Sequence, residues 1–273
     1  MGVELEETAV LAALQTKWMG RSYQYLPQVN STNTLLREMA QVKAGLLLPD
    51  GMVVLTDYQS AGRGRMVRRW EAPFGTSLLF SVFLRPNWPA AQAPWLTMIA
   101  ALAVAEAIEQ VTAVTVGIKW PNDVVIDQGG VWHKVSGILS EGDVDEHGRL
   151  AWAILGIGVN VNVTAVQLPA ANTPPTSLLA AGGQPVSRLA LFMALLARLE
   201  QHYETAVLGQ SPQPAWNRRL VTIGQPVTAT QFGDGKIVQG VAIGTDEGGQ
   251  LLVRDSAGVL HQVAAGDVTL RRS

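Results

Sequence analysis

What most constrains this chain is a succession of three β-type runs separated by turn signals rather than by helices. They are "AVTVGIKW" (113–120), "KVSGILSEG" (134–142) and "RLAWAILGIGVNVNV" (149–163). Asp127 to Gly130 suggest a turn inside the longest separator. Two further β-type runs come earlier, Met52 to Tyr58 and Ser77 to Leu84, and Pro86 and Pro89 stop the second. Strands linked mostly as hairpins, with helices set apart from them, give an α+β fold rather than a parallel α/β one.

The helical signals fall around these strands. The first twenty residues read as one amphipathic helix, with Leu5, Val10, Leu11, Leu14 and Trp18 available for packing. Ser31 or Thr32 can cap the next helix, Leu35, Leu36, Met39 and Val42 form its apolar stripe, and Gly45 can end it. A third helix runs from about Pro94 to Gln110, and Val186, Ser187 and Leu191 have staple and cap spacing for a fourth through about Leu208. Pro212 and Pro214 mark a boundary. From Gln225 the pattern changes to short strands with turns at "FGDGK", "TDEGGQ" and "SAGV". The expected division is a large domain, 1–220, whose first element is the helix 1–20, and a small β domain, 221–273.

Composition narrows the function classes. With 273 residues, 48% hydrophobic and 15% charged, the chain can bury a large core. A net charge of −2 disfavours a nucleic-acid coat or a polybasic membrane patch. The absence of cysteine removes disulfides, thiolate metal sites and cysteine nucleophiles. "MGVELEET" has no apolar signal core, and Glu6 stands where a myristoylation signal has Ser or Thr. "WLTMIAALAVAEAIEQV" contains Glu106 and Glu109 and reads as a buried helix, so the expected compartment is the cytoplasm, with no membrane partner.

Common site motifs fail. "GIGVNV" at Gly156 has Val161 where a dinucleotide fingerprint has its third glycine, and it leads into β-type sequence. Walker A, HExxH and GxSxG patterns do not occur, and the four histidines, His133 among them, are scattered.

One stretch remains conspicuous. "DYQSAGRGRMVRRW" (Asp57 to Trp70) holds Arg63, Arg65, Arg68 and Arg69, four of the chain's 20 basic residues. Something local and anionic is held there. Four other segments are equally odd for a core: "STN" at Ser31, "KWPND" at Lys119, "KVSGIL" at Lys134 and "GIGVNVN" at Gly156. Each has a plain structural reading alone. Ser31 and Asn33 can cap a helix, the arginine loop can be solvated surface, Pro-Asn-Asp favours a turn, Lys134 can snorkel, and Gly156 and Gly158 can serve strand packing.

Together and in this order the five segments resemble biotin protein ligases, from about Tyr23 to the C-terminus and most strongly from Ser31 to Asn162. The resemblance implies a class II synthetase-like biotin/lipoate ligase domain, a largely antiparallel mixed sheet packed with helices, followed by a small C-terminal SH3-like β-barrel. It implies two reactions. Biotin and ATP give biotinyl-5′-AMP and pyrophosphate, and the adenylate then acylates a lysine of the biotin carboxyl carrier domain of acetyl-CoA carboxylase. Two anions must be brought together, which calls for arginine forks and preorganised cations.

By matching positions, Ser31, Thr32, Asn33 and Gln59 belong to biotin's ureido end, and Gly62 and Arg63 supply backbone contacts beside it. Gly137 lies against biotin. Arg65 helps hold the adenylate. Arg68 meets ATP phosphates, Trp70 offers a face near adenine, and Asn160 approaches adenine. Lys119, Asn122 and Asp123 belong to the ATP–magnesium side, with Mg2+ held mainly through the phosphates and Asp123 nearby. Lys134 contacts both the biotin carboxylate and the α-phosphate. Lys134, Arg65 and Asp123 are the expected catalytic set, Asp123 taking the incoming lysine's proton. The arginine loop is expected to be a lid with little order when empty.

Two departures stand out. Met66 and Val67 replace an arginine-glycine pair of the family's lid, and "DQGGVW" lengthens a hairpin. About thirty residues precede Ser31, too few for the DNA-binding domain some members carry, so no nucleic-acid partner is expected. A homodimer is among the assemblies the family allows. Rival readings are a lipoate or octanoate ligase, against which the GRGR lid and KWPND argue, and a non-catalytic biotin or nucleotide sensor, which would not require Lys134 with Asp123.

Overall fold

The structure is a computed structural model of the chain. It describes residues 3–42, 48–65, 68–171, 173–231, 235–264 and 266–270, and absences stated below refer to these. The elements are α1 (Glu7–Ala13), β1 (Tyr23–Val29), α2 (Thr32–Val42), β2 (Val53–Gln59), β3 (Ser77–Leu84), α3 (Ala93–Val111), β4 (Val116–Lys119), β5 (Asp123–Gln128), β6 (Val131–Val144) and β7 (Leu150–Asn160). Then follow α4 (Leu178–Gly182), α5 (Arg188–Val207), α6 (Gln213–Arg219), β8 (Pro226–Gln231), β9 (Ile237–Thr245), β10 (Leu251–Arg254), β11 (Leu260–Val263) and β12 (Gly266–Leu270).

Seven strands form one sheet in the order β1-β2-β3-β7-β6-β5-β4. The β1–β2 pair is parallel and the others are antiparallel, as hairpin connections require. β3 is buried at all eight positions, which is why "SLLFSVFL" shows no alternation. One face of the sheet packs on α3 and α5 in the main core, with Leu55, Phe80, Val82, Leu155 and Ile157. α3 is apolar all round because it lies inside, with twelve residues buried. It is long and apolar enough to cross a membrane by composition, and most of it is core. α2 covers only one end of the opposite face, where Leu36, Met52, Val54, Phe83 and Ile154 cluster. The rest of that face is left for a cleft.

β5 and β6 close on a two-residue turn in which Gly129 and Gly130 both have positive φ, and Asp127 Oδ1 accepts from Gly130 N–H at 2.8 Å. The Asp127–Gly130 turn was legible, but the strand Asp123–Gln128 leading into it was not. α6 begins at Pro212–Pro214, so the prolines that marked a boundary also start a helix.

The N-terminal helix is shorter than expected: α1 ends at Ala13. Beyond it the buried Glu200 carboxylate accepts the N–H groups of Lys17, Trp18 and Met19, at 2.8, 3.0 and 2.9 Å. A tertiary anchor for three consecutive amides outcompetes another helical turn. Gly45 and most of "FGDGK" lie outside the described residues.

The expected C-terminal β-barrel is corrected. The last five strands form an open sheet, β11-β10-β9-β8-β12, with no pairing between its edge strands β11 and β12. Only 264–265 connect those two edges, a link of about 10 Å at most. The sheet must therefore curl at that corner, but strands of four and five residues do not complete the ladder. The sheet is fastened beneath β4, where Trp120 Nε1 donates to Gly249 O at 2.8 Å and Val221 N to Ile118 O at 2.9 Å.

Candidate active site

The uncovered face of the large sheet forms the floor of a cleft of about 1170 Å³. The floor is hollow because of its glycines. Gly156 pairs with Leu139 and Ser81, and Gly158 with Gly137 and Leu79. A β-carbon on Gly158 would stand 2.6 Å from Trp70 Cε2, and one on Gly137 2.9 Å from Trp70 Cζ3. The Trp70 indole lies in this hollow. Its Nε1 is buried and has no hydrogen-bond partner among the described residues. Asn33 lies over Gly156 in the same way.

Lys134 reaches this face through a β-bulge. It pairs with Val125, while Ser136 pairs with Val124, so Val135 is the extra residue. Val135 and Ile138 are core, whereas Lys134, Gly137 and Leu139 line the cleft. Gly137 lies three positions beyond Lys134, and a regular strand would point them to opposite faces; the bulge brings them together. Backbone bonds hold the lysine on its other side, Lys134 N to Pro174 O at 2.7 Å and Thr176 N to Lys134 O at 2.8 Å. Its ammonium lies 2.6 Å from Asp123 Oδ1 and 5.6 Å from the Trp70 ring centroid.

The arginine stretch opens as a hairpin, not as a structureless loop. Arg63 bridges Arg69, Gly64 N donates to Arg68 O at 2.8 Å, and Trp70 N to Gly62 O at 3.1 Å. Met66 and Val67 lie outside the described residues, so the departure they represent is not located. Arg65 Nη1 donates to Asn122 Oδ1 at 3.0 Å, and Asn122 Nδ2 to Ile138 O at 2.7 Å, which ties the arginine hairpin to the "KWPND" turn. Lys119 Nζ donates to Thr173 Oγ1 at 2.7 Å.

At the other end, Gln59 Oε1 accepts Thr32 N–H at 2.9 Å, and the Ser81 hydroxyl touches Thr32 Oγ1 at 2.6 Å and Asn33 Oδ1 at 2.5 Å. Ser31 lines the cleft and also caps α2, its Oγ 3.5 Å from Thr34 N, so the plain capping reading holds for a residue that also faces the cleft. Asp57 supports this end from inside. It accepts from Arg188 at 2.5 Å and from the Tyr25 hydroxyl at 2.6 Å, and burial with that hydrogen bond pushes the Tyr25 phenol up to about 12.

Nearly every residue expected in the site lines this cleft: Ser31, Thr32, Asn33, Gln59, Arg63, Arg65, Arg68, Trp70, Lys119, Asn122, Asp123, Lys134 and Gly137. Two do not. Gly62 lines an adjoining cavity of about 270 Å³ and lies too close to the Trp70 carbonyl for a side chain. Asn160 is buried and donates to Thr176 O at 3.0 Å, which directs it at the loop behind Lys134.

Several lining residues were missed. Ala170, Ala171, Thr173 and Pro174 form a wall, Trp132 stands near the tip of the β5–β6 hairpin, and Gln225, just before β8, and Val268 on β12 come from the C-terminal part. None carries a local pattern that marks a site. Glu141, seven residues beyond Lys134 on β6, was also missed. It receives Arg63 at 2.7 and 3.0 Å and Asn33 at 2.9 Å. No group of three or more His, Cys, Asp or Glu that could hold a metal occurs among the described residues.

The model of the Biotin/lipoate A/B protein ligase family matches residues 25–160, and that of the biotin protein ligase C terminal domain matches residues 222–271. The bifunctional ligase/repressor BirA of Bacillus subtilis (strain 168) is 32% identical over 270 residues, which cover 98% of this chain and 79% of that protein. The biotin–[acetyl-CoA-carboxylase] ligase of Paracoccus denitrificans is 35% identical over 243 residues, covering 85% of this chain and 94% of that one. Among solved structures, the biotin protein ligase from Aquifex aeolicus in complex with biotin and ATP superposes with a TM-score of 0.74 at 26% identity, over 93% of this chain and 100% of that one.

Proposed function

The chain belongs to the biotin protein ligase family, and we propose how its cleft carries out the ATP-dependent joining of biotin to a protein. A carboxylate oxygen of biotin attacks the α-phosphorus of ATP, the bond to the bridging oxygen breaks, and pyrophosphate leaves with that electron pair. The amine of an acceptor lysine then attacks the acyl carbon, AMP leaves, and one proton must be removed.

The observation that carries this reading is the Lys134–Asp123 pair, 2.6 Å long, at the head of a glycine-floored cleft edged by arginines. Asp123 holds the ammonium at the edge of the cleft before ligands arrive, within reach of the point where negative charge accumulates between carboxylate and α-phosphate. As Lys134 turns toward the two anions, the Asp123 carboxylate loses its partner and becomes available to the lysine proton in the second step. Arg65 and Arg68 hold the adenylate and the phosphates, and Arg65 shuts the lid through Asn122. Thr32, Asn33 and Gln59 receive the ureido ring, and Ser31 and Gly137 complete its walls.

Mg2+ comes with ATP. It would be held mainly through the phosphates, with Asp123, a carboxylate that lines the cleft, nearby rather than as its main ligand. The acceptor is the carrier domain of acetyl-CoA carboxylase, in the cytoplasm. Residues 1–220 act as the catalytic domain, with 221–273 closing one side of the cleft. The test is incubation with biotin, ATP and Mg2+ and detection of biotinyl-AMP by mass spectrometry, then transfer to a carrier domain. Adenylate formed with lipoate or octanoate but not biotin would refute the reading.

A further inference from the structure

Glu141 has no part in the mechanism above, yet three elements of the site meet at its carboxylate. From the lid, Arg63 Nη2 donates to Oε1 at 2.7 Å and Nη1 to Oε2 at 3.0 Å, a bidentate pair. From the first turn of α2, Asn33 Nδ2 donates to Oε2 at 2.9 Å, and Arg37 lies 3.5 Å from Oε1 one turn later. β6 itself carries the residue, whose side chain is only 20% exposed.

A carboxylate paired with a guanidinium offers acceptors only. That fixes the direction of every hydrogen bond behind it. Asn33 must turn Nδ2 to Glu141, so its Oδ1 faces Ser81 and takes the hydroxyl proton of Ser81, 2.5 Å away. Ser81 is wholly inside and has one proton. With that proton donated to Asn33, the 2.6 Å contact with Thr32 Oγ1 takes the Thr32 proton, which draws it from Gln59 Oε1, 3.2 Å from the same hydroxyl. Gln59 Oε1 is then served by Thr32 N–H at 2.9 Å, and Nε2 is the group Gln59 offers as a donor. The direction of the Thr32 hydroxyl is thus set three side chains away, by an anion that also grips the lid, while Gln59 takes its orientation from the Thr32 backbone N–H.

We propose that Glu141 is a positioning residue with two linked tasks: it clamps the first lid arginine to the sheet, and it fixes the donor and acceptor pattern presented to the ureido group of biotin. This rests on the biotin reading of the cleft. Filling the Thr32–Gln59 end and seating the lid become coupled, because both act on Asn33 and Glu141.

The experiment measures pyrophosphate release against biotin and against ATP for wild type, Glu141→Gln and Ser81→Ala, with melting temperatures for each. Glu141→Gln keeps the shape but lets the amide at 141 donate, which leaves the long 3.4 Å bond to Leu139 O to hold Asn33 Nδ2 in place and makes a flip of Asn33 cheap. Its KM for biotin should rise roughly 10- to 100-fold, the range for losing a charge-assisted hydrogen bond, while its KM for ATP moves less than about threefold. Added to Arg63→Met, the same change should have a smaller effect than in wild type. Ser81→Ala breaks the chain without touching the lid and should raise the biotin KM alone. If Glu141→Gln is insoluble, Ser81→Ala carries the test. An unchanged biotin KM in either variant, or equal rises for biotin and ATP, would overturn the proposal. Wild type that makes no biotinyl-AMP would instead overturn the reading beneath it.

Discussion

Replacing Lys134 with methionine removes one charge from the head of the cleft and keeps the length of the side chain. Two consequences follow for adenylate formation. The transition state loses a preorganised cation, worth about 2.7–4 kcal/mol at comparable positions. Asp123, which lies 2.6 Å from the ammonium, is also left facing two incoming anions. Two like charges about 4 Å apart repel by about 4 kcal/mol at an effective dielectric constant near 20. With the Lys134 and Asp123 side chains 26% and 19% exposed, solvent screens part of this. The cation term alone predicts a loss of roughly 100- to 1000-fold, and the repulsion adds to it. The assay is single-turnover formation of biotinyl-AMP at saturating biotin, ATP and Mg2+, with circular dichroism to show an intact fold. The double variant Lys134→Met/Asp123→Asn separates the two terms. It should form adenylate faster than Lys134→Met, because the unpaired anion is gone. A single variant within threefold of wild type, or a double variant slower than the single in this first step, would refute the reasoning.

Arg65→Gly should make adenylate but release it, because the lid loses its bond to Asn122; biotin appearing on an unrelated lysine-rich protein above the wild-type level is the measurement. Gly158→Val places a side chain where the indole now lies, 2.6 Å from Cε2 at its first carbon; tryptophan emission should shift and the KM for biotin should rise at least tenfold, with a melting temperature within a few degrees of wild type. Glu106 gives a pH test. Burial pushes its carboxyl up, but the hydrogen bond and charge of His202, with Arg219 and Arg198, outweigh this and hold it below its ordinary 4.5. A lowered carboxyl stabilises the fold above its ordinary value and loses that contribution as the pH falls through its folded one. The gap in melting temperature between wild type and Glu106→Gln should therefore narrow below about pH 4.5, and a gap that widens there would contradict the assignment.

Turns and prolines punctuate the sequence around β2, β3, β4, β6 and β7, which made those strands legible though not β1, and α5 was legible because Ser187 caps it where expected. α1 was misjudged because the residue that ends it, Glu200, lies almost two hundred positions away and competes for its backbone. β5 was hidden because Pro121, Asn122 and Asp123 carry a turn signal into its first residue. In the site, the arginines and Lys134 were legible because charge is scarce in this chain and conspicuous where it clusters. Glu141 was not, since a carboxylate near the exposed end of a strand looks like any solvated one until the fold brings Arg63 and Asn33 to it. The wall at Thr173 and Pro174 likewise depends on a backbone bridge to Lys134 that no local pattern announces.

The glycine hollow under Trp70 also bears on how affinity is measured. A molecule that comes to lie against Gly137 and Gly158 must first evict the indole, so the chain acts as its own competitor. Every dissociation constant measured at this floor is the intrinsic one divided by the fraction of molecules with the ring swung out. Packing holds the ring in, but its N–H has no partner there, and leaving such a group buried costs about 1–3 kcal/mol. The occluded state is therefore poised rather than locked: the ring leaves without breaking a hydrogen bond. A variant that gives Nε1 an acceptor would bind ligand more weakly with the floor itself unaltered.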